Sequence, residues 1–313
     1  MKQGIIDFQI GETFDGFLLL KNVSKGTTSA GKPVLTLILV DQTGAIEAKL
    51  WDSTEEDEKV FVPEEIVKIT GRITEFRGMR QLTIQEIRPH QPTDGVNVSQ
   101  FIKTAPISKE ELNAKINEAI FEMSNPNIQR IVRSLVEKYR EQILTYPAAV
   151  MNHHEYASGL AHHIVSMLAL AEKIYELYPQ LNKDLLYAGI ILHDLGKVKE
   201  LSGVVSTSYT MEGKLLGHIP IMIEEIGETA RQLNIDGEEV LLLKHLVLCH
   251  NQKPEWGSPT PHLVQEAEIL DYIDMIDRKV NMLNRHLRNV EPGEFTERIF
   301  AMDNRSFYKP TFE

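Results

Sequence analysis

Leu185-Leu186-Tyr187-Ala188-Gly189-Ile190-Ile191-Leu192-His193-Asp194-Leu195-Gly196-Lys197 is the stretch that decides the larger part of the fold. Eight apolar residues read as a buried helix, and the helix closes on a His-Asp pair followed by glycine and lysine. Upstream, Gly159-Leu160-Ala161-His162-His163 opens a second apolar helix, and downstream Asp271 and Asp274 lie inside a third. A histidine, a His-Asp pair and a distant aspartate, each on its own helix, make a metal cage that an all-α fold can assemble. Imidazole and carboxylate donors suit a borderline or hard divalent ion, with Mn, Fe, Zn, Co and Mg all compatible.

Helical signals extend on both sides of this centre. Ser108 followed by Glu111 reads as a capping box, and Leu112, Ile116, Ala119, Ile120 and Met123 then share one face. Asn125-Pro126 starts a second helix, with Ile128, Ile131, Leu135 and Tyr139 on its buried side. Further helices are expected over 159–178, 183–194, 219–233, 237–250, 264–287 and 294–302.

Before residue 105 the pattern changes. Phe14 to Val23, Pro33 to Val40, Ala45 to Trp51, Ile66 to Phe76 and Gln81 to Ile87 read as five strands. Asp41-Gln42-Thr43-Gly44 and Arg77-Gly78-Met79-Arg80 are the hairpin turns. The acidic run Glu55 to Glu58 between the third and fourth strands reads as a solvated helix face. Five strands with such an insert are the arrangement of a small OB barrel, and their order resembles the OB-fold nucleic-acid-binding family. The chain therefore reads as multidomain. An N-terminal all-β five-stranded OB-type barrel spans 1–90, and residues 91–107, with Pro92 and Pro106, are a linker. Connecting helices cover 108–146, and an all-α domain runs from 147 to 313.

Composition narrows the function. The 313 residues are 42% hydrophobic and 25% charged, which excludes wholesale disorder. Thirty-three basic against 45 acidic residues give a formal net charge of -12, so contact with nucleic acid must be a local patch or metal-assisted. Residues 1–104 carry 12 basic and 15 acidic side chains, which allows a basic stripe but not a strongly basic domain. The single cysteine, Cys249, excludes an internal disulfide framework and points to a reducing compartment. No apolar run reaches the length of a membrane span, and the expected location is cytoplasmic.

The HDLGK stretch, with His163 before it and Asp274 after it, resembles the HD superfamily of metal-dependent phosphohydrolases. That resemblance implies His163, His193, Asp194 and Asp274 as ligands of one divalent ion, with Asp194 bridging to a second where two bind. His218 and His250 fall where many two-metal members carry further histidines, and Asn251 stands where some carry another. His245 lies about 140° around the helix from His250, which favours His250 over it. Asp271 and Asp277 flank Asp274 at helical spacing, and one of them is expected to orient a ligand or pair with Arg278 rather than bind metal. Lys197, one turn past Asp194, is expected to hold a phosphate oxygen.

The whole chain resembles a narrower group. The barrel, the connecting helices, Pro147-Ala148-Ala149, His153-His154-Glu155-Tyr156, the HDLGK stretch and Glu255-Trp256-Gly257-Ser258-Pro259 look like the YhaM-type 3'→5' exoribonucleases. The resemblance implies a metal-dependent hydrolase, with Mn²⁺ leading the candidates, acting on single-stranded RNA or DNA and releasing nucleoside 5'-monophosphates. His162 stands where family members often carry an acid. In that reading Lys21, Trp51, Arg72, Phe76, Arg77 and Arg80 on the barrel, and His153 and His154 beside the helical site, are candidate substrate contacts. Two alternatives remain at this stage: an HD phosphohydrolase of free nucleotides or cyclic dinucleotides, and a non-enzymatic nucleic-acid-binding regulator. A homo-oligomer is compatible with the sequence. Phe307, Tyr308 and Phe312 in the tail could dock on a neighbour or on the chain's own core.

Overall fold

The computed structural model describes the chain except residues 1–3, 29–30, 149–155, 206, 252–257, 289 and 313. It divides into two compact units, one of residues 1–104 with Gly203–Thr207, the other of Ala105–Ser202 with Ser208–Glu313.

The first unit is a closed barrel of β1 (Thr13–Thr27), β2 (Pro33–Val40), β3 (Ala45–Trp51), β4 (Ile66–Phe76) and β5 (Met79–Pro89), in the order β1-β2-β3-β5-β4. Period-2 alternation turns Leu18, Leu20, Leu35, Leu37, Leu39, Ile46, Ala48, Val67, Ile69, Ile73 and Leu82 inward, where they are buried. Closure comes from the one parallel pairing, Glu47, Ala48 and Lys49 against Gln81, Leu82 and Thr83. Between β4 and β5, Arg77 and Gly78 take positive φ of 53° and 78°, the backbone of a tight two-residue hairpin turn. In the other predicted turn the Asp41 carboxylate accepts from the backbone N–H of Thr43 and Gly44. The acidic run forms α1 (Glu55–Val60), capped by Thr54 and burying nothing. Part of the proline-rich stretch packs down rather than running free, with Phe101 joining Leu19 and Ile66 in a small apolar cluster.

The second unit is helical. Its elements are α2 (Lys109–Phe121), α3 (Pro126–Lys138), α4 (Arg140–Ile143), α5 (Gly159–Leu177), α6 (Lys183–Leu192), α7 (Lys197–Glu200), α8 (Met211–Leu216), α9 (His218–Gln232), α10 (Glu238–Cys249) and α11 (Gln265–Leu287). α6 is buried on nearly every side and forms the centre of one continuous core. Only half of the expected capping box forms. Ser108 accepts from the Glu111 N–H, whereas the Glu111 carboxylate turns to Lys115. Buried acids are satisfied locally: Asp184 accepts from the N–H of Ser124 and Asn125, and Glu225 takes Lys138 and Lys199, each at 2.7 Å. No helix of the described residues is long and apolar enough to cross a membrane.

The expected helix over 294–302 does not form. Phe295 bridges Tyr308 and Ile299 bridges Arg305 in an antiparallel arrangement, with only a 3-10 turn at Phe300–Met302. Asp303 and Asn304 both sit at φ 57°, a left-handed pair that these two residue types tolerate and that reverses the chain. The tail aromatics fold largely onto their own unit. Phe307 packs against the cluster of Met282, Ile299 and Met302, and Tyr308 stacks on Phe295 at 5.1 Å, while Phe312 stays 81% exposed.

Candidate metal centre and nucleic-acid surface

The centre grows from α6. Its last residue hands over to His193 and Asp194 at the edge of the core, and the chain turns sharply into α7. α5 brings His163, α9 begins with His218, α10 is capped by His250, and α11 carries Asp274. His163, His193 and His250 are 0–2% exposed, and Asp194 is 5% exposed.

Four imidazole Nε2 atoms converge on one carboxylate. His193 and His163 lie 3.5 and 3.8 Å from Asp194 Oδ2, and His218 and His250 lie 3.5 and 3.9 Å from Asp194 Oδ1. Two donor trios result, His163–His193–Asp194 and Asp194–His218–His250, each with all its donor atoms within 4.8 Å of one another. Such spacings are close to the roughly 3–3.5 Å edges expected of ligands around an ion with bonds of about 2.1 Å. The four Nδ1 atoms face away to acceptors: Asp277 for His163, the Ile190 carbonyl for His193, Glu200 for His218 and the Val247 carbonyl for His250. That arrangement fixes Nε2 as the available donor on each ring. Nε2 of His193 and of His218 is buried with no hydrogen-bond partner among the described residues, an arrangement that suits a cation.

Asp274 stands slightly apart. Its Oδ1 is 3.3 Å from His163 Nε2, but its Oδ2 is held by Arg278 at 2.8 Å, and it belongs to neither trio. Lys197 Nζ lies 2.6 Å from Asp194 Oδ2, its side chain 14% exposed.

The electrostatics follow from burial and from these neighbours. Burial pulls the His163 imidazole down, yet the hydrogen bonds to Asp274 and Asp277 outweigh it and raise the pKa to about 9. His250 has no carboxylate on Nδ1, and burial, with His193 beside it, pushes it down to about 3. Burial also lowers His193. Burial disfavours the Asp194 anion, but Lys197 and the surrounding imidazoles hold it well below the usual carboxylate range. The centre thus presents two ionised carboxylates and at least two neutral imidazoles.

Comparison with known proteins places these features. A model of the HD domain matches residues 160–278, and a model of the OB-fold nucleic acid binding domain matches residues 20–89. A 3'-5' exoribonuclease YhaM from Oceanobacillus iheyensis is 64% identical over 313 residues, covering 100% of this chain and 99% of that protein. The chain belongs to the YhaM family. A second relative of the same name, from Geobacillus sp., is 60% identical across 100% of this chain and 96% of its own length. The second OB-fold domain of replication protein A from Methanococcus maripaludis aligns with 28% of this chain and 92% of its own, at 15% identity and a TM-score of 0.23.

Two positions singled out in the sequence, His162 against the YhaM-type pattern and Asn251 against two-metal members of the HD superfamily, acquire a structural setting. His162 directs Nδ1 to the Tyr156 hydroxyl at 2.6 Å. Asn251 donates its backbone N–H to Ser258, one residue past the last helical turn of α10. His245 is drawn off the centre, as its spacing from His250 suggests: its Nε2 accepts from the Leu263 N–H. His153 and His154 lie outside the described residues.

On the barrel, the expected basic stripe is largely committed. Arg80 donates to the carbonyls of Ile6 and Phe8, and Arg72 to that of Gly11, so both tie the N-terminal segment to the sheet. Lys25, Lys32 and Lys49 pair with Glu58, Asp52 and Glu47. Lys21 is exposed on β1. What remains presented is aromatic: Trp51 at the end of β3 is 55% exposed, and Phe76 at the end of β4 is 54% exposed with the Arg77 guanidinium 5.2 Å from its ring centre.

Sequence reasoning missed Glu200. Its role depends on a turn of chain between α7 and α9, and no spacing rule links a residue to a histidine 18 positions later. For Asp277 the signal was present, since i and i+3 carboxylates on α11 share a face, but which one met His163 was not legible.

Proposed function

We propose that this protein is a metal-dependent 3'→5' exoribonuclease. It shortens single-stranded RNA, and single-stranded DNA where offered, and releases nucleoside 5'-monophosphates. The carrying observation is the pair of donor trios that share Asp194, found in a chain 64% identical end to end to a 3'-5' exoribonuclease YhaM.

His163, His193 and Asp194, with Asp274 adjoining, hold one divalent ion, and Asp194, His218 and His250 hold a second. Mn²⁺ leads on the resemblance to the YhaM-type enzymes, and the mixed imidazole and carboxylate donors equally admit Fe, Co, Zn and Mg. Bound there, the ions supply a lowered pKa for water and stabilisation of charge on phosphorus. Hydrolysis adds a water oxygen to the terminal phosphorus and breaks its bond to the 3' oxygen of the preceding nucleotide. That oxygen leaves with a proton, and the phosphate stays on the released nucleotide. Lys197, beside Asp194, offers its ammonium to a non-bridging oxygen, where charge grows during the displacement. Trp51 and Phe76 give the bases faces to stack on, and Arg77 meets the backbone.

The family and the reducing-compartment signature of a lone cysteine support a cytoplasmic setting. A 5'-labelled single-stranded RNA, incubated in EDTA and then with Mn²⁺ or Mg²⁺, tests the reading on a sequencing gel. A metal-dependent ladder shortening from the 3' end is expected. An intact strand in every metal, with turnover of mononucleotides or cyclic dinucleotides instead, would overturn it.

A further inference from the structure

His218 is held in place more tightly than a helix start requires. It opens α9 directly after Gly217, and one carboxylate oxygen of Glu200 accepts from both its backbone N–H, at 3.1 Å, and its ring Nδ1, at 3.2 Å. Glu200 is itself 8% exposed and ends α7, the short helix that begins at Lys197. Its backbone is pinned in turn. The Thr210 N–H donates to the Glu200 carbonyl at 2.9 Å, and a Cβ at Gly213 would lie only 2.3 Å from that same oxygen. Lys199, one residue earlier, is anchored on the buried Glu225 at 2.7 Å.

A second contact runs the other way. Gly196, the glycine of HDLGK, has an ordinary φ of -59°, so no backbone strain calls for it. A Cβ there would lie 2.2 Å from the His218 carbonyl oxygen. The turn that carries Asp194 therefore packs directly on the backbone of His218. The residues just after the His-Asp pair thus grip His218 twice, through the absent side chain of Gly196 and the carboxylate of Glu200.

We propose that Glu200 is a positioning residue for the second ion. By accepting at Nδ1 it fixes the His218 tautomer with Nε2 bare toward Asp194, 3.5 Å away, and its negative charge strengthens the imidazole as a donor. By accepting from the backbone N–H it fixes where the ring begins. Among the described residues no equivalent carboxylate serves His250, whose Nδ1 faces the Val247 carbonyl. His218 with Glu200 is therefore the charged half of the second donor pair, and its loss falls on the Asp194–His218–His250 trio. The first trio is buttressed separately, by Asp277 on His163. The inference rests on the two-ion reading of the centre.

The test uses the full-length protein with Glu200→Gln and Glu200→Ala. Glutamine keeps an acceptor for the α9 N–H but removes the charge. Alanine removes the charge and the shared acceptor together. Mn²⁺ binding is followed by electron paramagnetic resonance of the free ion, with elemental analysis for stoichiometry, and ¹⁵N shifts of the His218 ring report the tautomer in metal-free protein. Wild type is expected to take two ions and to show Nδ1–H alone. Glu200→Gln is expected to bind the first ion as wild type does and the second about 10–100-fold more weakly. Its melting temperature should stay near that of wild type, because the cap survives. Glu200→Ala is expected to show mixed His218 tautomers. A purely capping role would move the melting temperature while leaving the second ion's affinity in Glu200→Gln intact, and that result overturns the inference. Should the alanine variant fail to fold, the glutamine variant decides. A wild type that saturates with one ion overturns the two-ion reading itself, a result seen before any variant is measured.

Discussion

Asp277 Oδ2 lies 2.7 Å from His163 Nδ1, and its other oxygen accepts from the Ser166 hydroxyl, so the ring that leads the first trio is fixed from behind by a carboxylate that is itself fixed. Both Asp277 and His163 are buried, and α5 and α11 are held together partly through this pair. Carboxylates placed behind ligand imidazoles set ring orientation and donor strength. Asp277→Asn is therefore expected to lower affinity for the first ion about 10–100-fold, read by Mn²⁺ titration, with little change at the second. Equal weakening of both ions would refute the assignment of Asp277 to His163 alone.

The same pair sets a pH dependence. Burial works against the His163 cation, but Asp274 and Asp277 raise its pKa to about 9 in metal-free protein, above the ordinary 6.5. An ion needs the neutral ring, so below about pH 9 binding must expel a proton from His163. Affinity for the first ion should therefore rise with pH up to that point. Calorimetry at neutral pH, in buffers of differing ionisation enthalpy, should show release of close to one proton. The sign for stability is opposite. The raised pKa adds stability to the metal-free fold that is fully present below pH 6.5 and is lost as pH climbs through about 9. His250, pushed down to about 3, adds stability that is present above 6.5 and is lost as pH falls toward 3. Thermal melts of metal-free protein across this range check both limbs.

Asp194 is common to both trios, and no neighbour among the described residues can replace a carboxylate that faces four imidazoles. Asp194→Asn should cut turnover by on the order of 10³-fold or more, while single-strand binding by the barrel persists. Filter binding alongside the gel assay separates the two. Loss of strand binding together with turnover would instead indicate a folding defect. Lys197→Met should leave metal binding in place and lower kcat, because its ammonium sits beside Asp194 without being a donor to an ion.

Much of this centre was legible because its signals are local. HDLGK, the histidine that opens α5 and the aspartate inside α11 announce themselves by residue type on apolar helices. The spacing of His245 from His250 likewise favoured His250 as the inward ring. The barrel strands were legible through period-2 alternation. What stayed hidden depends on contacts between distant positions. Glu200 reaches His218 across a turn of chain. Arg72 and Arg80 look like strand-surface cations until the N-terminal segment lays its carbonyls on them. Residues 294–302 carry no strong strand signal, and their bridges are set by the reversal at Asp303-Asn304 rather than by their own propensity.

Gly196 links the motif to the second trio, and its substitution should show it. A methyl group at this position meets the His218 carbonyl, a backbone atom that cannot swing aside. Overpacking of this kind costs about 1–3 kcal/mol. Gly196→Ala should therefore destabilise the protein by that amount in a denaturant melt. Because the clash pushes on the first turn of α9, the second ion should be weakened more than the first. A stable variant with both ions bound normally would show that the turn can relax.

Trp51 and Phe76 offer the sharpest test of the barrel, because the burial of an aromatic separates core from contact. Both are more than half exposed, so truncation removes little packing, and stability should hold within about 0.5 kcal/mol. If they stack bases, each alanine substitution removes about 1–3 kcal/mol of binding per base. That corresponds to a KM for long strands raised roughly 5- to 150-fold, with kcat on a dinucleotide unchanged because so short a substrate needs no barrel. Salt should discriminate further. Among the described residues of this surface Lys25, Lys32 and Lys49 are paired to acids, so affinity for single strands should fall only shallowly as salt rises. A steep salt dependence with unaltered KM in both aromatic variants would move strand recognition from these rings to charged groups elsewhere on the chain.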